Sequence, residues 1–200
     1  MMILRTSPPS PFGRKVIIAA SVLGLAGDIT IAKADPSDPG DTLRGQNPVG
    51  KIPILILEDG ATLFDSRVIL EYLDHRAGGG KIIPAEPKGR FAALRLQALA
   101  DGVTDASLLV LYEGRFRPTE RHEPKWLDYQ NDKIKRGFAV LEAAPPPIDP
   151  HIGQIALACL LGHRDLRFKG AWRADHPKLV AWLDHFAAQV PAFNTTKVAA

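Results

Sequence analysis

Hydrophobic and polar positions repeat in two different ways along the chain, and the change falls near residue 80. Met2–Thr6 is a short apolar run that reads as a strand. From Phe12 to Leu25, the residues Val16, Ile17, Ala20, Val22 and Leu23 recur at broadly helical spacing and stop against Gly24 and Gly27. "DITIAKA" (28–34) alternates Ile29 and Ile31 with polar neighbours, a second strand. The proline- and glycine-rich stretch 35–50 predicts a loop. "KIPILILEDGATLFD" (51–65) predicts an antiparallel hairpin turning at Asp59-Gly60. In "SRVILEYLDHRA" (66–77), Val68, Ile69, Tyr72 and Leu73 return to helical spacing.

"GGGKIIPAEPKG" then breaks the pattern, with the three glycines at 78–80 reading as linker. No strand pattern follows Pro84. Residues 90–116, 124–144, 149–165 and 176–190 all read as helices separated by prolines. The expected fold is an α+β domain, a four-stranded mixed sheet with helices over residues 1–79, followed by an all-helical domain over 85–200.

Composition narrows the function classes only slightly. With 46% hydrophobic and 24% charged residues the chain is an ordinary globular one. A net charge of +3, spread rather than clustered, gives no support for a nucleic-acid surface. The single cysteine, Cys159 in "IALACLLG", excludes an internal disulfide and reads as a buried small hydrophobe. Arg14-Lys15, the apolar run after them and "AKA" imitate a secretory leader cleaved at Ala34. The prolines ahead of the run and Asp28 behind it argue against that reading. No run approaches the ~20 apolar residues that cross a bilayer. The six histidines show no tight ligand spacing, so no metal is expected. "HRDLRFKG" resembles a kinase catalytic loop, but Gly170 stands where a metal-binding Asn belongs.

Three short segments carry candidate chemistry, and each has a plain structural alternative. Pro53 near a strand start is either an ordinary trans proline or a cis one that turns the Ile52 N–H and C=O toward an extended peptide. Asp65-Ser66 either caps a helix or uses its free N–H groups for a ligand carboxylate, with Asp65 facing an ammonium. Ser10-Pro11 has the composition of a helix start. Arg14 and Lys15 in the first turns oppose the helix dipole and hint at an anion nearby.

In order and spacing these segments resemble the soluble (cytosolic) glutathione S-transferase family, in a bacterial form with serine before Pro-Phe. The resemblance spans essentially the whole chain. It rests on "SPFGRKV" after the first strand, "NPVGKIPIL" opening the third, "LFDSRVILEYLD" after the fourth, and "HPKLVAWLDHF" with "VPAF" at the end of a helical second half. It implies a thioredoxin-like first domain, a cis Pro53, a cytoplasmic homodimer and glutathione as co-substrate, with no other cofactor. It implies a transferase joining the glutathione thiolate to a hydrophobic electrophile, in detoxification or small-molecule metabolism. The alternative is a non-catalytic glutathione-binding or interaction module on the same fold. By resemblance Ser10 takes the catalytic place, with Ser7 and Thr6 as rivals, since the first strand has no tyrosine and no cysteine precedes Pro-Phe. Ile52 with Pro53 meets the cysteinyl backbone, Asp65 and Ser66 hold the γ-glutamyl end, and Lys51 faces the glycyl carboxylate. Phe12, Tyr112 and Phe116 line the electrophile site. One departure concerns folding: His151 and Gln154 replace the expected Ser/Thr…Asp capping box, leaving Asp149-Pro150 to cap that helix.

A serine is energetically sufficient. Lowering a thiol pKa of ~8.5 by roughly two units requires about 2.7 kcal/mol. A hydrogen bond to a charged acceptor contributes ~1.5–3 kcal/mol, and a helix N-terminus ~0.3–1 kcal/mol or up to ~2 when partly buried. Ser10 is expected to divide its hydroxyl between capping and activation.

Overall fold

The computed structural model describes residues 1–198. Its central strand β1 (Met2–Thr6) buries Met2, Leu4 and Thr6 and leaves Ile3 and Arg5 toward the other face, the two-residue period of a strand. β2 (Ile29–Lys33) pairs parallel to β1, and β3 (Ile54–Ile56) pairs antiparallel on the other side. β4 (Thr62–Leu63) pairs antiparallel to β3, giving the order β2-β1-β3-β4. The parallel pair needs a crossover, which α1 (Pro11–Val22) supplies. The hairpin turns where expected: Gly60 takes a φ of +86°, and Asp59 Oδ1 accepts the Ala61 N–H at 2.9 Å. One element was not expected. The loop after β2 holds a single helical turn, α2 (Leu43–Gln46), too short to leave a periodic pattern.

α3 (Ser66–Arg76) ends at Ala77, and Gly78, Gly79 and Gly80 all adopt positive φ, the freedom that lets the chain leave the helix. The departure is held by Asp74. Its buried carboxylate accepts three linker N–H groups, from Gly80 at 2.9 Å, Lys81 at 3.0 Å and Ile82 at 2.7 Å.

The remainder is helical: α4 (Pro87–Phe116), α5 (Pro124–Ala143), α6 (Ile152–Phe168), α7 (Pro177–Gln189) and α8 (Pro191–Thr195). α6 is buried continuously from Ile152 to Leu161 and forms the axis around which α4, α7 and α1 pack. Cys159 lies in that stretch, and burial pushes its thiol up to about 12. At the start of α6 the expected Asp149 side-chain cap is absent. His151 occupies the N-cap without a side-chain bond, and the Ile152 N–H is taken by the linker carbonyl of Ile82 at 3.0 Å. The segment that holds α3 to the linker thus also satisfies α6. "HRDLRFKG" is the end of α6 and its turn, with Asp165 bonded to Trp172 and Arg173. No helix among the described residues is long and apolar enough to cross a membrane.

Candidate functional site

Sheet topology brings three of the candidate segments to one end of the molecule. β1 ends at Thr6 and leads into Ser10. β3 runs antiparallel to it and therefore begins, at Ile52-Pro53, on the same edge. β4 reverses again and ends there too, delivering Asp65 and the start of α3.

At the first segment Ser10 is the N-cap of α1. Its Oγ accepts the Gly13 N–H at 3.1 Å, and Pro11 occupies the first helical position. A hydroxyl has one donor and two acceptor sites, so capping uses a lone pair and leaves the O–H proton available. The expected division of the Ser10 hydroxyl between two roles is therefore not required. Thr6 is only 3% exposed, and its Oγ1 sits beneath α1, where a Cβ on Gly13 would collide with it. That placement removes Thr6 as a rival. Ser7 is half-buried and contributes its carbonyl to the Ser10 N–H at 3.0 Å.

At the second segment the Ile52–Pro53 bond is cis, as the resemblance implies, and the Phe64–Asp65 bond is also cis. Ile52 makes no backbone hydrogen bond among the described residues. The loop ahead of it is fixed by Asn47, buried to 3% exposure, which donates from Nδ2 to the Lys51 carbonyl at 2.9 Å and accepts the Val49 N–H on Oδ1 at 3.0 Å. Sequence reasoning missed Asn47, although an Asn before Pro with a glycine two residues further on is a turn signature. At the third segment Asp65 caps α3, its Oδ1 accepting the Arg67 N–H at 2.9 Å, and Ser66 is buried in the first turn.

Charges bind these segments to the helical part. Lys15 and Asp101 are both buried and meet at 2.8 Å, joining α1 to α4. Arg67 Nε lies 3.6 Å from Asp101 and 3.7 Å from Asp65. On the next turn of α4, burial raises the Asp105 pKa, the Asp101 charge adds to the rise, and Lys51, Arg67 and Lys15 oppose it. The anion hinted at by Lys15 is therefore a side chain of α4. Arg14 has no ion-pair partner among the described residues: it donates to the Phe193 carbonyl and to Thr196 Oγ1 and lies 4.2 Å from the centre of the Phe193 ring.

The aromatic candidates are spread out. Phe12 is half-buried, with Lys15 Nζ 5.4 Å from its ring centre. Tyr112 and Phe116 meet edge to face at 5.7 Å on the last turns of α4, exposed by 36% and 72%. On the other side of Ser10, a cleft of about 930 Å³ opens between the Pro8–Pro11 loop, α6 and the α8 tail. No cluster of metal-ligating side chains occurs among the described residues.

The same fold recurs in known proteins. The family model described as "Glutathione S-transferase, N-terminal domain" matches residues 9–76. The uncharacterized GST-like protein YibF of Escherichia coli K12 is 31% identical over 184 residues, 88% of this chain and 89% of that protein. A glutathione transferase family member from Pseudomonas fluorescens Pf-5, solved with bound glutathione, is 40% identical over all of both chains, with a TM-score of 0.91. The same protein solved with S-(propanoic acid)-glutathione superposes with a TM-score of 0.87, again over all of both chains. With its three-segment end of a mixed sheet and these relatives along its whole length, the chain belongs to the glutathione S-transferase family of enzymes.

Proposed function

We propose that this protein conjugates the glutathione thiolate to a hydrophobic electrophile, with Ser10 as the catalytic residue. The observation that carries the proposal is the Ser10 cap, in which Oγ accepts from Gly13 and the hydroxyl proton is left to donate to sulfur. The first-turn N–H groups of α1 add their partial positive charge at the same point. Glutathione would lie along the sheet edge. Its cysteinyl backbone pairs with the unpartnered groups of Ile52 beside cis-Pro53. Its γ-glutamyl carboxylate meets the α3 N-terminus at Ser66, and its ammonium meets Asp65. Lys51 faces the glycyl carboxylate. The thiol proton passes to solvent and the sulfur electron pair forms the new C–S bond; with an aryl halide the halide leaves with its bonding pair, and with an epoxide or isothiocyanate the displaced pair stays on oxygen or nitrogen and takes up a proton. Bound S-(propanoic acid)-glutathione in the Pseudomonas relative supports a site that tolerates a substituted sulfur.

In this reading residues 1–79 bind glutathione and 85–200 contribute the acceptor side, with Phe12, Tyr112 and Phe116 as the apolar wall toward α4. A cytoplasmic homodimer is part of the same proposal, and its size in solution is measurable by light scattering. The second reading, a non-catalytic glutathione-binding module, draws on the fact that both Ser10 and Asp65 already serve as caps. Both readings are tested by Ser10→Ala, assayed with aryl halides, isothiocyanates, epoxides and peroxides alongside glutathione binding. The expected result is conjugation lowered by about tenfold or more, roughly 1.4 kcal/mol, at little cost in glutathione affinity. Glutathione binding without turnover of any acceptor by the unaltered protein would favour the module.

A further inference from the structure

The cleft on the α6 side of Ser10 has a volume of about 930 Å³, which suits a drug-sized molecule. Pro9 and Pro11 form one wall beside Ser10. Leu166, Leu183 and Phe193 supply apolar surface opposite. The polar lining has a definite sign. Arg173 is neutralised by Asp165 through bonds of 2.9 and 2.6 Å. Arg14, Lys169 and Lys197 also line the cleft and have no salt-bridge partner among the described residues, with Asp184 the one remaining carboxylate.

Two of the lining groups lie deeper, and the first is held in place by hydrogen bonds. Arg14 spends Nε on Thr196 and Nη2 on the Phe193 carbonyl, while Nη1 has no protein partner among the described residues. Gly162 makes room for that nitrogen: a Cβ there would stand inside contact distance of Arg14 Nη1. His163 is 4% exposed and lines the same cleft, yet its Nδ1 has no hydrogen-bond partner. An imidazole nitrogen and a guanidinium nitrogen, both without partners and both on residues lining one cleft, leave hydrogen-bonding capacity that a ligand oxyanion can take up.

We propose that this cleft receives the body of the electrophilic acceptor, and that the preferred acceptors are organic acids whose carboxylate meets Arg14 and His163 while the electrophilic carbon faces the sulfur at Ser10. The inference rests on the thiolate reading of Ser10. It selects the α6 wall over the α4 wall for acidic acceptors and names their chemical class.

The test uses a matched pair of acceptors, para-(chloromethyl)benzoate and its methyl ester. With either one the glutathione sulfur pair forms the C–S bond to the benzylic carbon and chloride leaves with its bonding pair. The unaltered protein should show a higher kcat/KM for the acid. Arg14→Gln should raise KM for the acid by about tenfold, the loss of one charge-assisted hydrogen bond, and change the ester by less than about twofold. Gly162→Ala, which displaces the guanidinium without removing it, should act in the same direction and covers the case in which Arg14→Gln fails to fold. Non-reactive para-toluate should inhibit competitively against the acid, and more weakly in both variants. Equal turnover of acid and ester, equal effects on both, or a KM for the acid that responds to Tyr112→Ala and Phe116→Ala but not to the cleft variants would overturn the proposal. Glutathione binding with neither acceptor conjugated would instead defeat the thiolate reading, and this inference with it.

Discussion

The sheet edge and the α6 cleft meet at Ser10 but are built by different means. At the sheet edge the groups proposed to meet glutathione are mostly backbone: the N–H and C=O of Ile52, unpartnered among the described residues, and the first-turn N–H groups of α1 and α3, beside the caps Ser10 and Asp65. In the cleft they are side chains drawn from distant parts of the chain, with Arg14 of α1 reaching Phe193 across 179 positions and His163 coming from α6. A backbone site is specified within a few residues, by a cap or a turn. A side-chain cleft is specified only by the packing of whole helices, so it can vary while the sheet edge stays constant. One half of the proposed site is thus fixed by local geometry and the other by tertiary packing.

The largest expected effect tests the joint between the halves. Lys15→Met leaves the buried Asp101 carboxylate without its 2.8 Å partner and should cost about 3–5 kcal/mol in urea unfolding. The double variant Lys15→Met/Asp101→Leu should recover much of that loss, because two apolar groups remove the desolvation problem altogether. Non-recovery would mean that the pair does more than join α1 to α4.

A somewhat smaller effect isolates the cleft. Burial, followed by the nearby charges of Arg167 and Arg164, lowers the His163 pKa from 6.5 to about 4. In the unfolded chain the imidazole takes up its proton near pH 6.5, while the folded protein resists until about pH 4. Between those values the unfolded state binds more protons, so stability falls as pH falls, by a total on the order of 3 kcal/mol, and this contribution is level above and below the window. His163→Gln should flatten that decline without altering glutathione affinity. An unchanged acid slope would place the titration elsewhere.

The smallest effect belongs to the sheet edge. Asn47→Ala removes the two bonds that shape the turn ahead of Ile52. It should weaken glutathione by about tenfold, roughly 1.4 kcal/mol, and leave the acid-over-ester ratio unchanged. A change in that ratio would show that the two regions are not separable.

The same contrast explains what could be read in advance. The strands, the hairpin at Asp59-Gly60, the linker glycines and the caps at Ser10 and Asp65 follow from short patterns, because each is decided by residues within a turn of one another. α2 was missed because four residues among prolines and glycines show no period. Arg14 and Lys15 were legible as cations in an unfavourable place, yet their partners, Phe193 and Asp101, lie 179 and 86 positions away. The apolar run of α6 is buried on every side, so nothing in it marked His163 as facing a cleft. The start of α6 shows the same limit, since its first N–H is satisfied by Ile82 of the linker and not by the neighbouring Asp149.

The most direct measurement is the ionisation of bound glutathione, followed by the ultraviolet absorbance of the thiolate as pH is varied, in the unaltered protein and in Ser10→Ala. If the Ser10 hydroxyl caps α1 through a lone pair and donates its proton to sulfur, the bound thiol should titrate roughly two units below its free value of ~8.5, and Ser10→Ala should return it upward by at least about one unit. A bound thiol with the same pKa in both proteins would contradict that role for Ser10.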